Sequence, residues 1–238
     1  MYDKLKKAVC EANIELQRQR LIIYSWGNVS GIDRDKGVVA IKPSGVAYHK
    51  LTPKKIVVLD LKGNVIEGNL NPSSDTPTHL ELYRKFKSVG GVCHTHSPYA
   101  TIWAQACLEI PCFGTTAADY FYGEIPVTDV LTEKEIKKDY ELNTGKAIVR
   151  RFGKIDPMQM PAVLVANHGP FTWGTSPEAS VESAVILEQI AMTALGTVTI
   201  NPNQNPISDV LLDKHYLRKH GKNAYYGQKQ KENRDDKP

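Results

Sequence analysis

Two histidines separated by one residue, His94-Thr95-His96, are the most informative chemical feature of the sequence. In a strand, residues two apart lie on the same face, so the two imidazoles are expected to stand side by side. A divalent metal takes two of its ligands in that geometry, but it needs at least one more. A hydrogen-bonded core histidine next to an exposed one fits the same pattern, so the pair alone does not establish a metal site.

Further ligands are available elsewhere in the chain. His168 follows an apolar run, 162–167, and precedes Gly169-Pro170, a predicted turn that would project the ring into a cleft. Asp75 precedes Thr76-Pro77, a predicted helix start, where an aspartate often serves only as an N-cap. Three imidazoles and one carboxylate suit Zn²⁺, with Mn²⁺ or Co²⁺ as alternatives. We therefore predict one divalent metal bound by four residues: Asp75, His94, His96 and His168.

Three polar segments, residues 26–30, 42–45 and 71–74, offer backbone N–H groups and small hydroxyls to an anion. Lys42 adds a point charge, and Ser73-Ser74 precede a helix whose N-terminus attracts phosphate. Clusters of this kind are usually simple turns. Because one of them adjoins Asp75, we predict a phosphate site next to the metal.

Candidate acids and bases lie in two further segments. Asp119 stands among small neutral residues, 114–120, where desolvation could raise its pKa. The charged run 213–221 is followed by Tyr225-Tyr226. A solvated helix face with aromatic anchors explains that run equally well, so the residues alone leave its role open.

Hydrophobic spacing predicts the elements that position these residues. We expect helices over 3–20, 76–86, 99–106, from 132 (with a Thr132–Glu135 capping box) to 152, from 177 onward, and over 207–220, and strands over 38–42, 56–60, 65–66, 91–97 and 162–167. The interleaving is too irregular for a doubly wound sheet. We therefore predict one α/β domain, residues 1–228, with a central, mainly antiparallel sheet covered by helices, and a charged, disordered tail over 229–238.

Composition excludes several classes of protein. The 238 residues carry 30 Lys+Arg against 26 Asp+Glu, a formal +4 without a basic stripe, so we expect no nucleic-acid partner. No apolar run approaches 18 residues, so we expect no membrane span. The charged N-terminus and four cysteines without a C-x-x-C pair predict free thiols, no secretory signal and a cytoplasmic location.

Seven ordered motifs carry a resemblance to a known family; they lie at residues 25–30, 41–45, 72–79, 94–97, 118–123, 168–171 and 212–221. Over about residues 3–228 the chain resembles the class II aldolase / ribulose-phosphate epimerase superfamily, and within it the epimerase branch. The resemblance implies a three-layer, class II aldolase-like fold and a homotetramer with active sites at subunit interfaces. It also implies a metal held by the four residues named above.

The resemblance assigns further roles residue by residue. It places contacts to the substrate phosphate at Gly27, Asn28, Lys42, Ser44, Gly45, Ser73 and Ser74. It implies that Asp119 and Tyr226 form the acid/base pair, and it adds Thr115, Glu141, His215 and Arg218 as active-site candidates. Ala117 stands where close relatives are expected to carry a histidine, and we expect that change to affect the rate through the pKa of Asp119.

The implied activity is inversion of C4 in a small phosphorylated ketopentose, interconverting L-ribulose 5-phosphate and D-xylulose 5-phosphate, as in arabinose catabolism. C4 carries no acidic proton, so the C3–C4 bond must break, the aldehyde fragment must rotate while its phosphate is held, and the bond must re-form. A Lewis-acid metal stabilises the enediolate left on the other fragment. Two faces of the aldehyde require two proton carriers.

Three other functions are alternatives to this activity. A class II aldolase acting on L-fuculose 1-phosphate or L-rhamnulose 1-phosphate shares the superfamily, but those aldolases typically carry a glutamate acid/base where this chain has Asp75. A catalytically silent scaffold is expected to have lost a metal ligand, and all four candidates are present. A nucleic-acid module has no basic stripe with interleaved aromatics to support it.

Overall fold

A seven-stranded antiparallel sheet forms the centre of the computed structural model, which describes residues 1–227. Its order is β4-β3-β2-β1-β5-β7-β6. The strands are β1 (Asn28–Asp33), β2 (Val38–Ile41), β3 (Val57–Asp60), β4 (Val65–Glu67), β5 (Gly91–His94), β6 (Ala162–Val165) and β7 (Gly169–Gly174). The predicted antiparallel α/β architecture is confirmed, whereas the predicted tail over 229–238 lies outside the described residues.

Helices cover both faces of the sheet. Within residues 1–227 they are α1 (Asp3–Arg18), α2 (Thr76–Lys85), α3 (Pro98–Ala106), α4 (Thr115–Ala118), α5 (Glu133–Lys137), α6 (Tyr140–Arg151), α7 (Pro177–Ile200) and α8 (Asp209–His220). Helices α1 and α7 pack on one face, and α2 and α6 pack together on the other. The layers therefore run helix, sheet, helix.

Side-chain alternation along β1 and β5 decides which chemistry faces which layer. Val29 and Cys93 pack with Leu16 of α1 and Val181 of α7. Ser30, one residue on from Val29, turns to the other face, where its hydroxyl meets the rings of α2. His94 follows Cys93 and likewise faces the α2 side, where its ring stacks on Phe171 of β7 with ring centroids 4.2 Å apart.

Two strands were missed by the sequence analysis. Residues 26–30 were predicted as a loop, but β1 begins at Asn28 and lies in the middle of the sheet. Gly169-Pro170 were predicted as a turn, but they open β7, and the turn is made earlier, at Asn167, whose φ is +60°. The alternation of Phe171, Thr172 and Trp173 is a strand signal, and tertiary burial overrides the Gly and Pro that precede it.

Two predicted elements end earlier than expected. The strand over 91–97 stops at His94, so His96 lies in the connection to α3 and not on the strand. The helix predicted from 132 to 152 is two helices. Its capping box between Thr132 and Glu135 is present, but Asp139 adopts a φ of +56° and breaks the helix between α5 and α6.

Helix α8 begins at Asp209, two residues later than predicted, and ends before Gly221 as expected. The glycine is not in the left-handed conformation, since its φ is −75°. It is required for space instead, because a Cβ there would lie 2.6 Å from the Leu217 carbonyl oxygen.

By length and composition alone, one helix among the described residues, α7, is apolar enough to cross a membrane. It lies against β5 and β7, and Ser180, Ala184 and Leu187 are buried there. Helices in the cores of globular proteins pass the same test, so this feature is weak support for a membrane span.

Gly91 allows β5 to pack closely against the start of α7. A Cβ at Gly91 would lie 2.3 Å from the Ser176 carbonyl oxygen and 2.4 Å from the Pro177 nitrogen, both backbone atoms. We expect Gly91→Ala to lower the free energy of unfolding by about 1–3 kcal/mol through overpacking, measured by urea denaturation. Gly196→Ala is the matched control: nothing lies within 4 Å of its Cβ position in α7, so a gain of about 0.5–1 kcal/mol is expected. Equal effects from both substitutions would contradict the packing argument.

Candidate metal centre and anion site

Three imidazole rings meet at one end of the sheet. His94 ends β5, His96 lies two residues beyond it, and His168 sits in the turn between β6 and β7. One ring nitrogen from each lies within 4.8 Å of the other two. The Nε2 atoms of His94 and His96 are 3.1 Å apart. The structure therefore brings together the three histidines named from the sequence, although only His94 is on a strand.

The rings present the form that a metal binds. His94 donates from Nδ1 to the Pro170 carbonyl oxygen at 2.9 Å, which leaves Nε2 with a lone pair directed at the other rings. Burial lowers the pKa of His96 to about 4 and the pKa of His168 to about 4, and the neighbouring His94 ring acts in the same direction. Neutral, converging imidazoles are a donor set that fits a divalent transition metal.

Asp75 stands beside this group and is not one of its three tightly clustered members. The aspartate occupies the N-cap position of α2 without a side-chain capping hydrogen bond, so capping does not account for it. Its Oδ2 instead accepts a hydrogen bond from the Asn28 amide at 2.6 Å. Burial raises the pKa of Asp75, but His94, His79 and the Asn28 amide outweigh it and leave the pKa below its usual range. Its role as a fourth ligand remains a prediction.

The predicted anion loops lie next to each other. Asn28 also donates to the Ser73 hydroxyl at 3.0 Å, and the Ser73 N–H donates to the Lys42 carbonyl oxygen at 3.1 Å. The Ser44 N–H donates to the Asn71 carbonyl oxygen at 2.9 Å. Segments 42–45 and 71–75 therefore run side by side, with Ser74 exposed and Gly45 in a positive-φ turn.

Lys42 carries the strongest signal for an anion in these loops. Its residue is only 2% exposed, and burial lowers the pKa of its ammonium. Nζ donates to the Pro43 carbonyl oxygen at 3.4 Å and lies 4.8 Å from the centre of the Tyr48 ring. Among the described residues no carboxylate comes within 4.0 Å of it. Since buried charges are normally paired, an anionic ligand is the natural partner for this lysine.

A second polar cluster joins the segment after α4 to α8. The Asp119 carboxylate accepts a forked pair of hydrogen bonds from Arg218, from Nη2 to Oδ2 at 2.7 Å and from Nε to Oδ1 at 3.1 Å, and pairs with His215 Nδ1 at 3.0 Å. Lys219 Nζ lies 3.9 Å from the same carboxylate. The ring of Tyr226 lies against two of these cations, 4.9 Å from Arg218 and 4.6 Å from Lys219. Three of the sequence-predicted residues thus gather around Asp119.

The direction of the Asp119 pKa corrects the sequence analysis. Desolvation does raise it, as expected, but hydrogen bonds from Arg218 and His215 and the charge of Lys219 outweigh desolvation. The net pKa of Asp119 is therefore lowered. A small neutral sequence segment gave no indication of the cations, because they come from a helix about a hundred residues later.

The two clusters do not touch within one chain. Among residues 1–227, no hydrogen bond, ion pair or ring contact links the three histidines to Asp119 or Tyr226. Thr115 is exposed at the start of α4, and the Glu141 carbonyl oxygen accepts a bond from Thr78. Ala117 is buried in the main core.

Two functional neighbours were missed from the sequence. The Tyr140 hydroxyl lies 3.3 Å from His168 Nδ1, and nothing in the spacing of Tyr140 signals this. His79 is fully buried; its Nδ1 lies 2.7 Å from the Ser30 hydroxyl, which also meets Tyr83 at 2.8 Å. Burial lowers the pKa of His79 to about 3, so this ring is neutral.

Comparison of the sequence with known proteins identifies the family of this chain. Residues 7–195 match the model described as the class II aldolase and adducin N-terminal domain. Two curated relatives, from Salmonella paratyphi A and Salmonella typhi, are each 53% identical over 226 residues, covering 95% of this chain and 99% of their own. Both are named L-ribulose-5-phosphate 4-epimerase.

Solved structures show the same fold. An L-fuculose 1-phosphate aldolase superposes with a TM-score of 0.77 at 25% identity, over 90% of this chain and 95% of its own. An L-fuculose-1-phosphate aldolase from Thermus thermophilus has a TM-score of 0.64 at 25% identity, over 85% and 99%.

The ion pairs of Asp119 predict a pH dependence of stability. Because its folded pKa lies below the ordinary value near 3.8, Asp119 stabilises the fold fully above that value. This contribution is lost as the pH falls through the lowered folded pKa. We expect Asp119→Asn to cost about 1–2 kcal/mol at pH 7, with the difference from wild type shrinking below about pH 4. Urea denaturation between pH 3 and 7 measures both; a constant difference over that range would contradict the assignment.

Proposed function

Because the chain belongs to the class II aldolase and adducin family, we propose that it is an isomerase that interconverts L-ribulose 5-phosphate and D-xylulose 5-phosphate at C4. The observation that carries this conclusion is 53% identity to epimerases of that name across 99% of their length. The site supports it with a cluster of three imidazoles and with a buried lysine, Lys42, that no carboxylate of residues 1–227 approaches within 4.0 Å. Together these suit a substrate with hydroxyl and carbonyl oxygens at one end and a phosphate at the other.

The metal shell we propose consists of His94, His96 and His168, with Asp75 as fourth ligand. One divalent cation per subunit is expected, Zn²⁺ first and Mn²⁺ or Co²⁺ as alternatives, since neutral imidazoles and a carboxylate favour these ions. When bound, the cation supplies Lewis-acid stabilisation of the negative charge that develops on substrate oxygens as the C3–C4 bond breaks. The protein's contribution is to keep His96 and His168 neutral and to bring one ring nitrogen of each histidine to a common point.

The phosphate is proposed to bind on the paired loops, with Lys42 as its charged partner. Contacts from Gly27, Asn28, Ser44, Gly45, Ser73 and Ser74 complete the set. Support comes from the hydrogen bonds that join Asn28 to Ser73 and Ser73 to Lys42, since they fix these loops against one another. A phosphate fixed there lets the two-carbon aldehyde turn without leaving.

Proton transfer is proposed for Asp119 and Tyr226, one on each face of the aldehyde, with His215 and Arg218 beside them. Thr115 and Glu141 are proposed as further active-site residues, and Glu141 adjoins Tyr140 on the side of the histidines. Within one chain Asp119 and Tyr226 lie apart from the histidines, so the roles require a second subunit to bring them to the metal. That requirement agrees with a homotetramer whose active sites lie at subunit interfaces. The forked Arg218 bond holds Asp119 as a carboxylate, so the proton it accepts must be returned within the same cycle.

The remaining proposals follow from the activity and the composition. A sugar-phosphate substrate fits a cytoplasmic enzyme in pentose breakdown, such as arabinose catabolism, acting on neither nucleic acid nor membrane. We propose residues 1–228 as its single catalytic domain. Aldolase activity is the alternative, because this chain shares its fold with an L-fuculose 1-phosphate aldolase. Product analysis separates the epimerase from the aldolase.

The decisive test is product analysis with purified, metal-loaded protein and L-ribulose 5-phosphate. D-xylulose 5-phosphate, accumulating to an equilibrium mixture, is the expected result. Free dihydroxyacetone and glycolaldehyde phosphate as the main products would identify an aldolase. If L-ribulose 5-phosphate is unchanged while L-fuculose 1-phosphate is cleaved, the proposed epimerase activity is wrong.

Two substitutions separate metal binding from proton transfer. His96→Asn removes one of three convergent imidazoles, so metal content and turnover should fall together, metal affinity by at least about tenfold.

Tyr226→Phe should keep the metal content and the unfolding midpoint of wild type but slow turnover by about 10²-fold or more. Metal analysis beside steady-state rates measures both. Unchanged turnover in Tyr226→Phe would remove the tyrosine from the mechanism, and full activity in metal-depleted His96→Asn would remove the metal.

A further inference from the structure

Trp26 is an exposed indole beside the three histidines. Its residue is 53% exposed, whereas the other two tryptophans, Trp103 and Trp173, are 7% and 0% exposed. The Trp26 ring meets the His96 ring edge-on, with centroids 6.3 Å apart. Large aromatic side chains gain most from burial, so an indole left half in solvent at the rim of a polar site is available to a ligand.

The backbone after Trp26 lies against the strand that carries His94. Gly27 has a φ of +96°, and a Cβ there would lie 2.7 Å from the His94 carbonyl oxygen. The Tyr48 hydroxyl donates to the Gly27 carbonyl oxygen at 2.8 Å, and the buried Asn28 side chain binds Asp75. Trp26 is thus placed between the imidazole cluster, which its ring contacts, and the anion loops, which its own chain enters.

The backbone before Trp26 is less constrained. Ile23 and Tyr24 are both exposed, and Tyr24 has a φ of +54°. The Tyr24 ring lies 6.3 Å from Trp26 and has no contact with a histidine of the cluster. The exposed apolar segment 23–26 therefore approaches the candidate site through Trp26.

The proposed reaction makes a demand that a cleaving enzyme does not share. After the C3–C4 bond breaks, an epimerase must keep both fragments until one has turned, whereas an aldolase releases them. The phosphate anchors one end of glycolaldehyde phosphate, but its aldehyde end is small, uncharged and free to be solvated. Retention therefore needs an apolar surface that excludes water and does not bind the aldehyde tightly.

We propose that the Trp26 indole covers the passage between the histidines and the anion loops and retains glycolaldehyde phosphate during its rotation. This inference rests on the proposed function. It assigns Trp26 to specificity: the indole holds the fragments in and takes no part in bond breaking or proton transfer.

The test uses Trp26→Ala, Trp26→Phe and the matched control Tyr24→Ala, each metal-loaded. With L-ribulose 5-phosphate as substrate, the readout is free dihydroxyacetone formed per D-xylulose 5-phosphate. Loss of the indole should raise this ratio by about tenfold, the change expected when one good apolar contact is removed. Phenylalanine should rescue it in part, and Tyr24→Ala should match wild type. A wild-type ratio in Trp26→Ala, whatever its rate, overturns the proposal.

A second readout is independent of turnover. Binding of 2-phosphoglycolate, a stable analogue of the aldehyde fragment, should change the tryptophan fluorescence of metal-loaded wild type but not of Trp26→Phe, because Trp103 and Trp173 are buried. If wild type forms no D-xylulose 5-phosphate, the proposed function fails and this titration alone decides whether Trp26 lines the site. A lower oligomer mass of Trp26→Ala in sedimentation velocity would instead identify the indole as a subunit contact and overturn its retention role.

Discussion

The register of β1, β5 and β7 is the constraint on which the candidate site depends. At one end of the sheet Asn28 pairs with His94, and His94 pairs with Phe171. A slip of one residue would turn His94 to the opposite face, among the apolar side chains beneath α1 and α7. It would also separate the Asn28 amide from Asp75. Glycine at positions 27 and 91 permits this register, since any side chain there would meet backbone atoms of a neighbouring segment.

The molecule keeps two kinds of electrostatics apart. At the histidines, burial removes charge, and the pKa values of His96 and His168 fall to about 4. Around Asp119, three basic side chains surround one carboxylate and keep it ionised. The first environment suits metal binding and the second suits the handling of protons. Among residues 1–227 they do not meet, which is why the proposed activity calls for a second subunit.

How far the sequence predicts this structure depends on the range of the interaction. Local signals were reliable: the capping box at Thr132 and the proline start of α2 are both present. The three histidines were found because residue type and local spacing already indicate metal chemistry. By contrast, β1 reads as a polar loop, and its burial comes from strands and helices distant in sequence. The predicted direction of the Asp119 pKa shift was wrong for the same reason, since Arg218 and His215 are about a hundred residues away in sequence. The contact of Tyr140 with His168 follows the helix break at Asp139, which no local sequence pattern indicated.

The buried ammonium of Lys42 affects the stability of the fold. A lysine whose pKa is lowered by burial, with a carbonyl and a tyrosine ring as its neighbours, makes the fold less stable than a paired lysine would. Any anion that binds Lys42 in the folded chain alone relieves part of that penalty, and the fold gains stability with the logarithm of the anion concentration. With the proposed sugar phosphate as that anion, the folded population would rise with the concentration of the substrate itself.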